Sequence, residues 1–190
     1  LRSFHALLDA HPGFRRDHAL TMHVELPFQK YDSPERRSDF YLRLEERLAG
    51  LAGVTGVGLV NVLPMDWNDR ATRLTDEARR NALEAEMPIV RTRTVSDHYF
   101  RTMEIPLLRA RSFDSRDNFS SPRVVVVSER LAQQLWPDGN ALGKRVRIIG
   151  DTICREVVGV GADTRHNPNM PGSPLQPTVH LPVRHQSPRR

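Results

Sequence analysis

Pro122 opens a run of four valines, Val124 to Val127, and Ser128 follows at once with Glu129. A continuous β-branched run introduced by a proline reads as a buried strand. Ser128 then has the chemistry of an N-cap, and Leu131 and Leu135, one turn apart with Trp136 beside them, describe a short helix. Pro137-Asp138-Gly139 stops that helix in a turn. Gly143 leads into Val146–Ile149, and Gly150-Asp151-Thr152 separates this run from Ile153–Val160, the pattern of a hairpin. Strand, helix and hairpin packed into one stretch point to an α/β fold of the mixed, α+β kind.

The upstream half carries the same two periods. Leu20, Met22, Val24 and Leu26 alternate with Thr21, His23 and Glu25 up to Pro27, which predicts a half-buried strand. Ser33-Pro34-Glu35 supplies an N-cap, a proline at the first helical position and an acid at the positive end of the helix dipole. Phe40, Leu44, Leu48 and Leu51 then fall on one stripe, and Gly50 and Gly53 release the chain. Val54–Leu63 follows as a buried strand closed by Pro64. Strand, helix and strand in that order predict a βαβ unit with parallel strands. Leu1, Phe4, Leu8 and His11 have helical spacing before Pro12-Gly13, and Met65–Asp69 reads as a turn. Residues 75–85 fit either a weak helix capped at Thr75 or a surface loop. Ile89–Val95 has strand character, Asp97–Met103 suits a brief helix, residues 164–177 read as loop, and Thr178–Val183 as a last strand.

At 190 residues the chain suits one domain, or two small lobes sharing a core. No stretch approaches the roughly 18 apolar residues needed to cross a bilayer. The start, Leu1-Arg2-Ser3-Phe4-His5, has neither an initiator Met nor the apolar core of a secretory signal, and reads as part of a longer protein. The net charge of +5 raises the question of nucleic acid. Yet Lys30 and Lys144 are the only lysines, and the arginines stand among acids, as in Arg36-Arg37-Ser38-Asp39 and Glu45-Glu46-Arg47, not in a basic stripe.

Motifs that would carry chemistry are incomplete. Eight histidines include no His-Glu-x-x-His, and Asp163 with His166 lacks a third ligand. Val127-Ser128-Glu129 lacks the glycines of a nucleophile elbow, and capping accounts for Ser128. Gly139-Asn140-Ala141-Leu142-Gly143-Lys144-Arg145 is one residue short of a phosphate-binding loop, has no Ser/Thr for magnesium and precedes a strand, so no helix terminus would hold a phosphate. Gly53, Gly56 and Gly58 stand in the wrong order for a dinucleotide loop. Cys154, the single cysteine, excludes an internal disulfide and suits a buried structural thiol. The expectation is therefore no catalytic residue, no cofactor-binding residue and no metal ligand.

Several segments carry a resemblance. Leu1-Arg2-Ser3-Phe4, Pro12-Gly13-Phe14, Leu20-Thr21-Met22 and Tyr31-Asp32-Ser33-Pro34-Glu35-Arg36-Arg37 with Phe40-Tyr41 occur in order. Gly53-Val54, Leu63-Pro64, Tyr99-Phe100-Arg101-Thr102-Met103, Ile105-Pro106-Leu107-Leu108-Arg109, Trp136-Pro137, Gly143-Lys144-Arg145, Val158-Gly159-Val160 and His180-Leu181-Pro182 continue the series. Together they resemble the extracytoplasmic core domain of MacB/FtsX-type ABC transporter permeases, in wording most like the second outer domain of duplicated orphan permeases. Residues 71–87 depart from the Gly/Pro-rich loop of that pattern.

The resemblance implies a porter-like βαβ lobe of residues 17–96 and 155–183 with a smaller α/β lobe, 97–154, inserted in it. Residues 1–16 would be a stalk-like segment following a transmembrane helix, and 184–190 a mobile tail leading to the next. It further implies a non-catalytic module on the periplasmic side of a bacterial inner membrane. Its partners would be a cytoplasmic ABC ATPase and a second permease domain or protomer, with the membrane engaged through the parent's flanking helices and no nucleic acid bound. A basic nucleic-acid module and a small carboxylate-using hydrolase are the rival readings.

Overall fold

The computed structural model describes residues 12–15, 17–64, 66, 71–79, 81–165 and 175–185, and it puts the valine run in the interior of a sheet. Seven strands form that sheet: β1 Ala71–Asp76, β2 Ile89–Val95, β3 Leu107–Ala110, β4 Val124–Ser128, β5 Arg145–Ile148, β6 Cys154–Gly161 and β7 Thr178–Pro182. Among the described residues three α-helices accompany them: α1 Pro34–Ala49, α2 Tyr99–Thr102 and α3 Glu129–Leu135.

The strand order is β3-β6-β4-β7-β2-β1-β5, and β5 pairs back onto β6. All strands but β3 therefore close into a ring. β6 makes this possible by dividing one edge between two neighbours: Cys154–Glu156 pair with β5, and Gly159–Gly161 with β3. β2 with β7 and β4 with β6 are parallel; the other pairs are antiparallel.

The alternation of side chains along β4 sorts the interior into two apolar clusters. Val125 and Val127 join Leu74, Val90, Val146, Val157, Val160 and Val179, so every strand of the ring contributes. Leu131, Leu135 and Trp136 from α3 complete that cluster, and the helix thus plugs the ring. Val124 and Val126 point the other way, into Phe14, Val95, Tyr99, Phe100, Ile105 and Phe113. Each such buried side chain contributes roughly 1.5–3 kcal/mol of transfer free energy. Ser128 starts α3 as expected, accepting from Leu131 N at 3.4 Å. The hairpin, Ile89–Val95, the brief helix and the last strand also form where the sequence puts them.

Helix α1 is capped by Ser33, whose Oγ accepts from Arg36 N at 3.3 Å, with Pro34 in its first turn. Its apolar stripe is shallower than its spacing suggests: Phe40, Leu44 and Leu48 are half-buried, Leu51 is exposed, and none belongs to either buried cluster.

The predicted βαβ unit around α1 does not form. Residues 20–26 make no strand, and Leu20 and Met22 are 97% and 62% exposed. Of Val54–Leu63 only an isolated bridge between Val60 and Val95 remains. The alternating pattern is real, but nothing in the described structure pairs with it. Residues 71–76 are a strand and not part of a helix or loop, followed by single 3-10 turns at Glu77–Arg79 and Glu84–Glu86. β3 was not anticipated either. The expected helix at residues 1–11, most of the Met65–Asp69 turn, His166 and the tail beyond His185 lie outside the described residues.

Candidate functional site

Beside α1, Glu45 and Ser96 are buried polar groups, and the exposed His98 stands over them. The helix buries Glu45 to 6% exposure, the chain leaving β2 supplies Ser96, and His98 precedes α2. Ser96 Oγ donates to Glu45 Oε1 at 2.6 Å, and His98 Nδ1 stands 3.3 Å from the same oxygen. These are the residue types of a nucleophilic triad, but their wiring is wrong. In a triad the imidazole stands between hydroxyl and carboxylate; here the carboxylate stands between the other two. Ser96 Oγ also accepts from Leu59 N at 3.0 Å and is fully buried, so no substrate reaches it. The cluster fastens α1 and the segment around Leu59 to the end of β2, which a backbone pair between Ser96 N and Leu59 O at 3.0 Å reinforces.

A second Ser/His contact joins Ser121 Oγ and His185 Nε2 at 3.0 Å. Burial, aided by the charge of Arg123, pushes the His185 pKa down to about 4, so the imidazole is neutral at pH 7 and a feeble base. Ser121 Oγ donates to Asn118 O at 2.8 Å. The nearby carboxylate, Asp117, is engaged elsewhere, receiving Arg111 Nη1 and Nη2 at 2.6 and 2.8 Å. Burial alone would raise the Asp117 pKa, but those bonds hold it below the ordinary carboxylate value. The arrangement ties the turn after β7 to the loop before β4. Neither cluster shows in the sequence, because its members lie 51 and 64 positions apart.

The residues singled out from sequence make contacts within the fold where they are described. Ser128 Oγ, 1% exposed, also accepts from Thr178 N at 3.0 Å and so ties α3 to β7. Asp163 Oδ1 accepts from Arg130 N at 3.0 Å in the first turn of α3, while His166 lies outside the described residues. Burial, then the hydrogen bond and charge of Glu77, push the Cys154 thiol up, away from a reactive thiolate. The Gly139–Gly143 loop spends its backbone on the fold: Gly139 O accepts from Arg109 and Gly143 N donates to Val157 O at 2.9 Å. Among the described residues no group of three His, Cys, Asp or Glu side chains could hold a metal, and no helix is long and apolar enough to cross a membrane.

Several of the arginines are balanced in place. Arg155 meets Asp151 at 2.6 Å, Arg184 meets Asp97 at 3.0 Å and Arg145 meets Glu77 at 3.2 Å. On α1, Arg43 pairs with Asp39 at 3.0 Å. An open groove of about 370 Å3 lies where β3 and β5 part, between Ala110, Leu142 and Val158, with Glu156 and Arg111 on its walls. It holds no pair of groups placed for acid–base chemistry.

Known proteins supply the context. The chain is 30% identical over 89 residues to an uncharacterized ABC transporter permease, YvrN, of Bacillus subtilis; the aligned part is 46% of this chain and 21% of that protein. The chain thus spans about a fifth of that permease. Among solved structures, the periplasmic region of MacB from Actinobacillus actinomycetemcomitans matches with a TM-score of 0.52 at 16% identity, over 76% of this chain and 55% of that one. The extracellular domain of the noncanonic ABC-type transporter YknZ from Gram-positive bacteria gives 0.47 at 18% identity, over 73% and 59%. The MacB likeness confirms the mixed α/β fold. The family model of the MacB-like periplasmic core domain matches residues 18–190, and the chain belongs to that family.

Proposed function

We propose that this chain is the non-catalytic extracytoplasmic module of an ABC-type permease in a bacterial inner membrane. Its parent would couple cytoplasmic ATP hydrolysis, through membrane helices flanking the module, to movement outside the membrane. The partners would be an ABC ATPase and a second permease domain or protomer. The observation that carries this reading is the family match over residues 18–190. The wiring of the two Ser/His clusters supports it, since both spend their polar groups on holding segments together. The division into a lobe of residues 17–96 and 155–183 and an inserted lobe of 97–154 belongs to the same proposal; their strands share one sheet. The rival nucleic-acid reading draws no support from arginines paired one by one with acids.

Orientation is tested in the full-length parent carrying Cys154→Ser and a single new cysteine at the exposed Arg43. A membrane-impermeant maleimide should label it in cells whose inner membrane is intact. Labelling only after the inner membrane is lysed would overturn the reading.

A further inference from the structure

The turn that carries the chain out of β7, Val183–His185, is fastened in three places. Arg184 Nε donates to Asp97 Oδ2 at 3.0 Å, just before α2. Arg123 Nη1 donates to His185 O at 3.1 Å, and the His185 ring meets Ser121 Oγ at 3.0 Å, both in the segment leading into β4. Of the three fastenings, the ring is the one that a proton can undo.

The hydrogen bonds around Ser121 decide the state of that ring. A serine hydroxyl has one hydrogen to give, and Ser121 donates it to Asn118 O at 2.8 Å. Its oxygen then accepts from the imidazole, so the ring carries its hydrogen on Nε2 and leaves Nδ1 bare. A second proton has to go onto Nδ1, which is buried and has no hydrogen-bond partner among the described residues. The whole residue is 7% exposed. Two guanidinium groups face it, Arg123 from the segment before β4 and Arg155 from β6, and both repel a cation. Asp117 and the Asn118 carbonyl favour one, but Asp117 already receives Arg111 Nη1 and Nη2 at 2.6 and 2.8 Å. An imidazolium is therefore better served by water than by this seat.

We propose that His185 is an acid-sensitive latch: a proton taken up on Nδ1 drives the ring from its seat and frees the Val183–His185 turn, while β7 stays in the sheet. β7 is held independently, between β2 and β4. Linkage gives the size of the effect. The ring is pushed down to about 4 in its seat and returns to its ordinary value of 6.5 once released. The ratio of open to closed turn therefore rises about a hundred-fold from pH 7 to pH 4. The use of such a latch rests on the extracytoplasmic placement proposed above, where outside acidity reaches the module. Its chemistry does not, and the chain in solution tests that chemistry alone.

The test is thiol accessibility in the 190-residue chain carrying Cys154→Ser and Val183→Cys, a buried position in the turn. Dithiodipyridine reacts with thiols in acid as well as at neutral pH. Its rate with this variant, relative to glutathione at the same pH, should rise about a hundred-fold between pH 7 and pH 4 while the far-UV circular dichroism stays constant. Adding His185→Gln, which keeps a donor for Ser121 Oγ but takes up no proton, should hold the ratio flat. Adding Arg155→Gln, which removes a facing charge without touching a bond of the turn, should make the rise smaller. In the unaltered chain, the His185 ring and the Arg184 amide should titrate together in NMR spectra, with a midpoint below 6.5. A ratio that ignores pH, or that rises equally with His185→Gln, overturns the proposal. So does a ring that titrates at 6.5, or a dichroism signal lost in step with the ratio, which is unfolding of the whole sheet.

Discussion

Gly159→Ala should destabilise the protein although glycine is a poor strand residue. By local rules the exchange would help: alanine loses less backbone entropy on folding, a gain of about 0.4–1 kcal/mol. Space reverses the sign. An added Cβ at Gly159 would lie 2.1 Å from Arg111 O, 3.2 Å from its carbonyl carbon and 3.4 Å from Val126 Cγ2. The offending atoms are backbone, so no rotamer change relieves them, and the chain leaving β3 must move by about 1 Å to reach ordinary contact. That movement strains the bond from Arg111 N to Val158 O and the Ala110–Gly159 pairing, at about 1 kcal/mol each. It also disturbs Phe113 in its cluster, an overpacking cost of about 1–3 kcal/mol. The net expectation is a loss of about 2–4 kcal/mol. Gly143→Ala is the counterpart, with φ at +73° and nothing within 4 Å, where only backbone strain of about 1 kcal/mol applies. Urea unfolding of both variants, with hydrogen exchange at the Arg111 amide, separates space from dihedral angle. A Gly159→Ala protein as stable as wild type, or less affected than Gly143→Ala, would refute the reasoning.

Leu135→Ala, inside the ring cluster, should cost about 2–5 kcal/mol, whereas Leu44→Ala, on the half-buried stripe of α1, should cost under about 2 kcal/mol; equal urea midpoints would contradict this. Ser128→Ala removes two accepted bonds, from Leu131 N and Thr178 N, and should cost about 1–2 kcal/mol while leaving the parent's function in cells intact. His185 is held at a pKa of about 4, below the ordinary 6.5, so the unfolded chain binds the extra proton between those values. Stability should therefore fall as the pH drops from about 6.5 towards 4, and His185→Gln should flatten that part of a stability profile measured by denaturant titration.

What was legible in the sequence is what local chemistry decides. Ser128 and Pro137 bound α3, Ser33 and Pro34 start α1, and Gly150-Asp151-Thr152 turns a hairpin that does form. β1 was hidden because two of the three residues at its buried end are polar: Leu74 sits beside Thr75 and Asp76, and Asp76 is satisfied inside by Ala78 N at 3.0 Å and by Trp136 Nε1, which donates to it at 2.8 Å from the distant end of α3. The opposite error at residues 20–26 has the same origin. Alternation fixes which face wants burial, but a strand exists only where a partner strand does. Glu45 looked like one charge among many on a solvated helix face, and only the chain reversal after Val95 brings Ser96 and His98 to it.

The closed ring has a consequence for how the molecule is made. β7, the last of the ring's strands in chain order, enters between β2 and β4 and closes the ring that β1, β5 and β6 leave open. Until Pro182 has left the ribosome, β2 and β4 are two unsatisfied strand edges. β4 is all valine but for its last residue, which makes it an aggregation template during translation. A chain truncated before Thr178 keeps both edges open permanently. The arrival of β7 is therefore the step that covers both edges at once.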